Sequence, residues 1–551
     1  MHGVRYADIP TTARRNILRY NPTPKEKMEA DTGAFQQRMR GTVGWDKRVN
    51  VYDGERTATV ADKDVVDSLL CAIVAEDADA AGLDIKDAFL MENLAEPVYM
   101  VLDAKSFGES VLRELELDNL VERGKIYMMV TGNMFGLPHA GRTFSEGRDK
   151  HLRAHGYVTD PSVPNLWRDA ADPDFAFVTI VDDFAIKVPK TKRHVYDRFV
   201  AALAAKYTCT HQPELSKFLG TTIKRDRVAG TILITAPNYV DKLAMQHADL
   251  KITPQTTPRK YVAPLRGVTG PQQTKAAVDS PPLDADGKTK LQSIVGSLLW
   301  YGRMVDPTLL EAVGHLSSQQ GAPTADTMQQ ARHLLGYATA YPDNGRLIRR
   351  SDMVLKCYSD ASHNSRTKGR SVAGGFYYAG DHGTDTPNAP LAPLSTIIDV
   401  VTPSAYESEV AAVFLNMQRG AFLRRIFELL GYPQGPTPIW TDNAVAVSFA
   451  DSTCKLSKSK SIDLRFYWIK DRVQQGQFKV KWVKGEFNPA DYFTKPLPAE
   501  AHTKWVRVLA HVPEGTGYKQ VTRKRRSSTA NRATRTHRFA RYGRRQSTIR
   551  H

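Results

Sequence analysis

The chain has 551 residues, more than one hydrophobic core can hold; at about 150 residues per domain, three or four units are expected. Its 41% hydrophobic and 25% charged content excludes a fibrous or wholly disordered protein. The net charge of +17 is uneven: Lys519 to His551 carries twelve Lys or Arg and no acid, which leaves about +5 on the first 518 residues.

No run of 18 apolar residues occurs, so no transmembrane helix and no membrane partner are expected. Met1-His2-Gly3-Val4-Arg5 opens no apolar segment, so a secretory signal is not expected either. Cys71, Cys209, Cys357 and Cys454 show no CxxC spacing and read as reduced intracellular thiols, without a disulfide framework or a zinc site.

Taken in order, residues 1–50 are polar and basic, with Arg38-Met39-Arg40-Gly41 and Lys47-Arg48 near an expected hairpin. Residues 51–245 mix helices and strands. Phe175, Phe177, Thr179 and Val181 alternate with Ala176, Val178 and Ile180, then Asp182-Asp183 interrupt, and Phe184-Ala185-Ile186-Lys187-Val188 resumes. That is a strand–turn–strand pattern with two carboxylates at its tip. Adjacent acids on a turn are often only turn formers, but apolar flanks on both sides would aim this tip into a cleft. Asp84 closes another apolar stretch and reads as a strand end.

Residues 246–290, rich in Pro, Thr, Lys and Gly, read as a linker or extended loop. Helices are predicted from Leu291 to Trp300, Thr308 to Gln319 and Thr324 to Ala340. Residues 353–510 return to strand and helix alternation. Met353, Leu355 and Cys357 lead to a strand ending at Asp360. Ser404 caps a long helix with Glu407 and Glu409 at its start, where the helix dipole alone favours acids. Pro438-Ile439-Trp440-Thr441-Asp442 is a further strand end, and Phe478, Val480 and Trp482 alternate as a strand ahead of Asp491. The tail from Lys519 should be disordered; it could hold phosphates, serve as a nuclear address or be a merely solvated end.

Two acidic sets stand out, Asp84, Asp182 and Asp183 in one half, Asp360, Glu409, Asp442 and Asp491 in the other. Each has the carboxylates that a magnesium site for phosphoryl transfer needs.

Leu83-Asp84-Ile85-Lys86-Asp87-Ala88-Phe89-Leu90, Phe135-Gly136-Leu137-Pro138-His139-Ala140-Gly141-Arg142, Val181-Asp182-Asp183 and Phe218-Leu219-Gly220 follow the order and spacing of a reverse transcriptase. Val295-Gly296-Ser297-Leu298-Leu299-Trp300-Tyr301 resembles the stretch after the polymerase in copia-type LTR retrotransposons. Ser359-Asp360-Ala361, Glu407-Ser408-Glu409, Thr441-Asp442-Asn443 and Ala490-Asp491-Tyr492-Phe493-Thr494-Lys495-Pro496-Leu497 resemble the ribonuclease H of the same elements. The likeness covers about residues 35–500. It departs from the family pattern at Ile180, where Tyr is common, at His139, where Gln is common, and at Ser461 of Lys460-Ser461-Ile462-Asp463, where His is common.

The resemblance implies an α+β and α/β multidomain chain. Fingers and palm would occupy residues 1–245, a linker plus helical thumb or connection 246–345, a ribonuclease H-like mixed-sheet domain 350–512, and a basic tail 513–551. It implies an RNA-directed DNA polymerase with ribonuclease H activity that uses Mg²⁺, with Mn²⁺ as an alternative ion. All seven acids would be catalytic metal ligands, with Glu409, followed by Ala412, preferred over Glu407. Phe89, His139, Arg38 and Arg40 would meet the incoming nucleotide. Phe89 is equally a core ring at a helix start, and Arg38, Arg40 and Arg48 are equally exposed solubilising charges. Ser362 and Asn443, beside two acids, are either readers of the RNA 2′-hydroxyl or strand-end and cap residues. Partners would be an RNA template with a DNA or RNA primer, dNTPs and an RNA–DNA hybrid, in a cytoplasmic particle or the nucleus. The chain would be part of a larger polyprotein. The rival expectation is an inactive relic that only binds nucleic acid. A two-acid glycosidase explains neither the third acid nor the second set.

Overall fold

The computed structural model describes residues 1–28, 35–44, 55–262, 280–452 and 464–513, with the side chains of 25–28, 35–38 and 367 excepted. Arg48, Cys454, the Lys460–Asp463 segment and the basic tail lie outside the described residues, as does the side chain of Arg38. By compactness residues 1–516 form one unit and 517–551 another.

Helix α1 (Lys63–Ala75) starts at Asp62, whose carboxylate accepts the Asp64 N–H at 3.1 Å. Eleven successive residues from Asp64 to Val74 are buried, so α1 has neighbours all round rather than one wet face. It packs on the palm sheet, whose six strands run in the order Cys209–Gln212, β1 (Asp79–Ile85), Asp183–Val188, Ala176–Ile180, Val163–Asp169 and Tyr157–Asp160. Helix α2 (Ala140–Ala154) precedes the hairpin of β2 (Ala176–Ile180) and β3 (Asp183–Val188). All pairings are antiparallel, and Asp183 stands opposite both Ile180 and Asp84. Asp183 is therefore the first residue of a strand, and the turn is Val181-Asp182.

A second sheet, ordered His2–Val4, Lys125–Gly132, Asn93–Asp103, Leu18–Met28 and Phe35–Gly44, forms the fingers. The expected basic hairpin is its Leu18–Met28 and Phe35–Gly44 edge, with Arg40 opposite Thr23. A four-stranded sheet from Lys217–Phe218 to Arg346–Arg349 and the helices Ala285–Met304, Leu310–Ser317 and Ala325–Ala340 follow. The first of these helices begins six residues before the predicted start, because Asp284 caps it by accepting the Gly287 N–H at 2.8 Å.

The last sheet is mixed. β4 (Val354–Arg366) pairs antiparallel with β5 (Arg370–Gly380), which pairs with β6 (Leu394–Ile397). Helix α3 (Ala405–Leu429) crosses the sheet, capped by Ser404 as predicted. β7 (Thr437–Thr441) returns parallel to β4, helix α4 (Ala444–Ala450) follows, and β8 (Phe478–Trp482) adds parallel to β7. Order β6-β5-β4-β7-β8 with α3 against it is a ribonuclease H-like arrangement. β4 does not end at Asp360. It pairs with β5 as far as Ser362 and again at Arg366, so Asp360 is mid-strand.

Palm and nuclease-like portions share one core, with α1 packed directly on α3. The Arg346 guanidinium is buried among them. It donates to both Asp67 oxygens at 2.7 and 2.9 Å, to Met304 O at 3.0 Å and to Pro390 O at 3.2 Å. Among the described residues no helix is long and apolar enough to cross a membrane. Cys71, Cys209 and Cys357 are free thiols, as expected.

Candidate metal and nucleic-acid sites

The palm acids are positioned by backbone pairing. Asp84 and Asp183 are cross-strand partners, and Ile85 N–H donates to Asp182 O at 3.1 Å, tying the turn to β1. Val181 takes φ +55°, a left-handed conformation costly for a β-branched residue, so the surroundings must hold it. They do so through Arg148 of α2, which is 1% exposed and donates to Val181 O at 2.6 Å. The same guanidinium donates to Asp149 at 2.7 Å and to Asn165 Oδ1 at 3.0 Å, and Asn165 Oδ1 also accepts Thr179 Oγ1–H at 2.9 Å. All three palm acids are partly exposed. Burial, then Asp182 and Asp84, push the Asp183 carboxyl up to about 6.

Of the residues expected to face a nucleotide, Phe89 and Arg40 meet at the Phe135 ring and His139 opens α2. Phe89, partly buried, packs edge-on to Phe135 at 5.5 Å and to Phe144 at 6.3 Å, joining the palm and fingers cores. Arg40 lies over the other side of this cluster, 5.4 Å from the Phe135 ring centre. Gly136 sits at φ +94°, and an added Cβ would fall 2.3 Å from Val43 O, so only glycine lets this loop press on the Arg40 strand. His139 is the N-cap of α2. Burial, then Arg56, hold its imidazole below the ordinary value, which keeps it neutral at pH 7.

The second set is gathered by tertiary packing. Parallel pairing of Tyr358 with Trp440 brings Asp360 and Asp442, each two residues further on, to the same level. Opposite Asp360, Gly374 leaves space in which an added Cβ would meet Ala490 O at 2.6 Å and Thr494 Cγ2 at 2.6 Å. The missing side chain lets the short turn Pro489–Phe493 lie on the sheet and deliver Asp491. Ligand oxygens of Asp360, Asp442 and Asp491 all lie within 4.8 Å of one another, the one such group of three among the described residues. Thr494 Oγ1–H donates to Asp360, and Lys495 donates to Asp491 at 2.8 Å.

Glu409 enters from α3. Its carboxylate accepts the Ala361 N–H, and its Oε2 is buried without a hydrogen-bond partner. Burial, then Asp442, push Glu409 up to about 8. Burial, then Asp491 and Glu409, push Asp360 well above the carboxylate range, and Asp442 is raised by burial and Asp491. Burial pulls the Lys495 ammonium down, but Asp360, Asp491 and Asp442 together push it above its usual value. Four hard oxygen donors facing one lysine, one donor atom being orphaned, fit a divalent cation of the Mg²⁺ or Mn²⁺ kind. Glu407 instead lies in the first turn, where its N–H donates to the Ser404 cap at 3.2 Å.

Asn443 is a helix cap, its Oδ1 accepting Val445 and Ala446 N–H at 3.0 Å. Ser362 Oγ–H donates to Thr494 O at 2.8 Å, fastening the Asp491 turn to the sheet. Sequence reasoning missed Arg148, Asn165 and Lys495. Arg148 had a readable signal, since it interrupts the buried i, i+4 stripe of Phe144 and Leu152 on α2.

The family model of the reverse transcriptase (RNA-dependent DNA polymerase) matches residues 8–260. Over 478 residues the chain is 21% identical to the retrovirus-related Pol polyprotein from transposon TNT 1-94 of Nicotiana tabacum, covering 86% of this chain and 34% of that protein. Over 433 residues it is 25% identical to the Pol polyprotein from transposon RE2 of Arabidopsis thaliana, covering 78% and 27%. It thus spans about a third or less of the length of these curated relatives. Prototype Foamy Virus protease-reverse transcriptase is similar at 14% identity over 90% of this chain and 56% of that one, with a TM-score of 0.21, too low to bear on the fold; that reading stands on strand order and register. Residues 8–260 thus match a reverse transcriptase domain, and the chain as a whole is similar to retrovirus-related Pol polyproteins of plant transposons, in line with the copia-type resemblance of its motifs.

Proposed function

We propose that this chain copies RNA into DNA and cleaves the RNA of the resulting hybrid, each reaction at its own carboxylate site. The gathering of Asp360, Asp442 and Asp491 around one level of the last sheet supports this reading, because a divalent cation relieves the repulsion among oxygen donors held within 4.8 Å of one another. In the palm, Asp84, Asp182 and Asp183 would hold Mg²⁺, with Mn²⁺ as an alternative; in the nuclease, Asp360, Glu409, Asp442 and Asp491 would do so. Bound ions supply the charge that activates the attacking oxygen and steadies the leaving one.

The remaining chemistry falls to the chain itself. Arg148 holds the Val181-Asp182 turn at the end of the strand in which Asp183 pairs with Asp84. The Phe89 ring, braced by Phe135 and Phe144, forms a wall beside Asp84 that would admit a deoxyribose and obstruct a 2′-hydroxyl. Arg40, and Arg38 on the same strand, would meet triphosphate or template phosphates, and neutral His139 would hydrogen-bond rather than repel. In the nuclease, Glu409 and Asp360 give up protons before they can ligate, and Lys495 fixes Asp491.

Template, primer and hybrid would be gripped mainly through phosphates, with strong salt dependence. A cytoplasmic particle or the nucleus is the proposed place of action. The test is extension of a labelled primer on an RNA template by the full chain with dNTPs. Metal-dependent synthesis supports the reading. Hybrid binding without synthesis, at any Mg²⁺ or Mn²⁺ concentration, would leave a non-catalytic nucleic-acid-binding relic in its place.

A further inference from the structure

On β8 the alternating residues Phe478 and Val480 point inward, 1% and 3% exposed, and Lys479 and Lys481 point out. Trp482 has the inward parity of Phe478 and Val480, yet it is 57% exposed. Its partner in register is Thr441, so the indole lies just past the end of the core, beside Asp442. It is not loose there. The indole N–H donates to the Asp442 carbonyl at 3.0 Å, which tethers the ring to the backbone of a cluster acid.

The loop beyond keeps the approach narrow. Gly485 lies so close that an added Cβ would come within 3.0 Å of Asp442 Oδ2, and Phe487 is exposed at 58%. Lys479 and Lys481 stand exposed on the same strand, while Lys484 is occupied by Glu486 at 2.5 Å. A tethered, exposed aromatic face beside the acidic cluster, on a strand that also exposes Lys479 and Lys481, matches what a nucleic-acid duplex presents at its surface, sugars and phosphates.

We infer that the Trp482 indole packs on a sugar of the RNA–DNA hybrid flanking the phosphate to be cut. The contact rests on the nuclease reading above for its location, though not for its test. Packing on a sugar is sequence-tolerant, because every nucleotide presents one, so Trp482 sets grip and register and leaves cleavage chemistry to the acids.

Two readouts on the full chain test this. In the first, a hybrid is irradiated on the protein and the crosslinked peptide is mapped, which needs no cleavage. A crosslink at Trp482, absent in Trp482→Ala, is expected; crosslinks that all map elsewhere would overturn the contact. In the second, hybrid cleavage is measured at steady state. Trp482→Ala should raise KM about tenfold with kcat within about twofold, and Trp482→Phe should stay within about threefold of the parent in both. Lost kcat at unchanged KM, unrescued by Phe, would make Trp482 a mere prop for Asp442 and overturn the proposal. A crosslink at Trp482 without any cleavage by the parent chain would instead retain the contact and sink the nuclease reading.

Discussion

The two acidic sites differ in what holds them. In the palm, Asp84 and Asp183 are register partners on adjacent strands and Asp182 is in the turn between β2 and β3, so sheet hydrogen bonds set the site. In the nuclease-like part the acids come from mid-β4, from α3, from just past β7 and from a turn seated over Gly374, so side-chain packing sets it. The palm acids are partly exposed, and Asp183 is raised to about 6. In the second set Asp360 and Glu409 are buried while Asp442 and Asp491 are partly exposed, with Glu409 raised to about 8 and Asp360 well above the usual range. A site set by local pairing can stay open to a large substrate; one set by packing concentrates charge and depends more on its ion.

The sharpest way to break this comparison is within α3. If packing delivers Glu409 and leaves Glu407 at the helix start, Glu409→Gln should lower hybrid cleavage by about a thousandfold or more, judged by kcat. Glu407→Gln should cost at most about 1 kcal/mol of helix-end stabilisation, read from the Tm. The reverse ranking would mean that the cluster draws on a different face of α3.

Next in size is the clamp under the palm turn. Arg148→Lys keeps the charge but loses the fork that reaches Val181 O, Asp149 and Asn165 together. Primer extension should fall about 10- to 100-fold through kcat while hybrid cleavage stays within about twofold. Equal loss of both activities would show that Arg148 supports the fold and not the turn.

Asp67→Ala tests whether the sites share one scaffold. It strands the buried Arg346 guanidinium that joins α1, Met304 and Pro390. A loss of about 3–5 kcal/mol is expected, lowering Tm by roughly 5 °C. Both activities should vanish at the same temperature. A nuclease outlasting the polymerase on heating would mean the two parts melt separately.

The smallest effect is a displacement of pH profiles. A group raised to about 8 is mostly protonated at pH 7 and must lose that proton to bind a cation, so ion affinity at Glu409 rises up to and beyond pH 8. Asp183, raised to about 6, is already ionised at pH 7. At limiting Mg²⁺, the acid limb of cleavage should lie about two pH units above that of extension. Coincident limbs would remove the electrostatic distinction between the sites.

What the sequence made legible follows the same division. The palm was readable because alternation around Phe175 to Val188 and the adjacent Asp182-Asp183 are local signals; only the assignment of Asp183 to the turn was off by one residue. The four nuclease acids were recognised through their motifs, but not their depth. β4 runs past Asp360 because β5 continues to pair with it, and Glu409 is raised by burial and then by Asp442, contributed from beyond another strand. Asn443 turned out to be a cap, as its place before a short apolar helix allowed. The exposure of Trp482 was invisible, since alternation assigns it inward and only the end of the core excludes it. The shared α1–α3 core was equally hidden, because a helix buried all round does not name its neighbours.

The central claim, two independent carboxylate sites in one unit, is tested most directly in a single reaction vessel. An RNA template labelled at one end is annealed to a differently labelled primer and given to the full chain, Asp183→Asn and Asp442→Asn. The account predicts that the parent chain lengthens the primer and shortens the template. Asp183→Asn should shorten the template of a preformed hybrid without extension, and Asp442→Asn should extend while the template stays whole. Loss of both activities in a correctly folded single variant, or persistence of both in either, would contradict it.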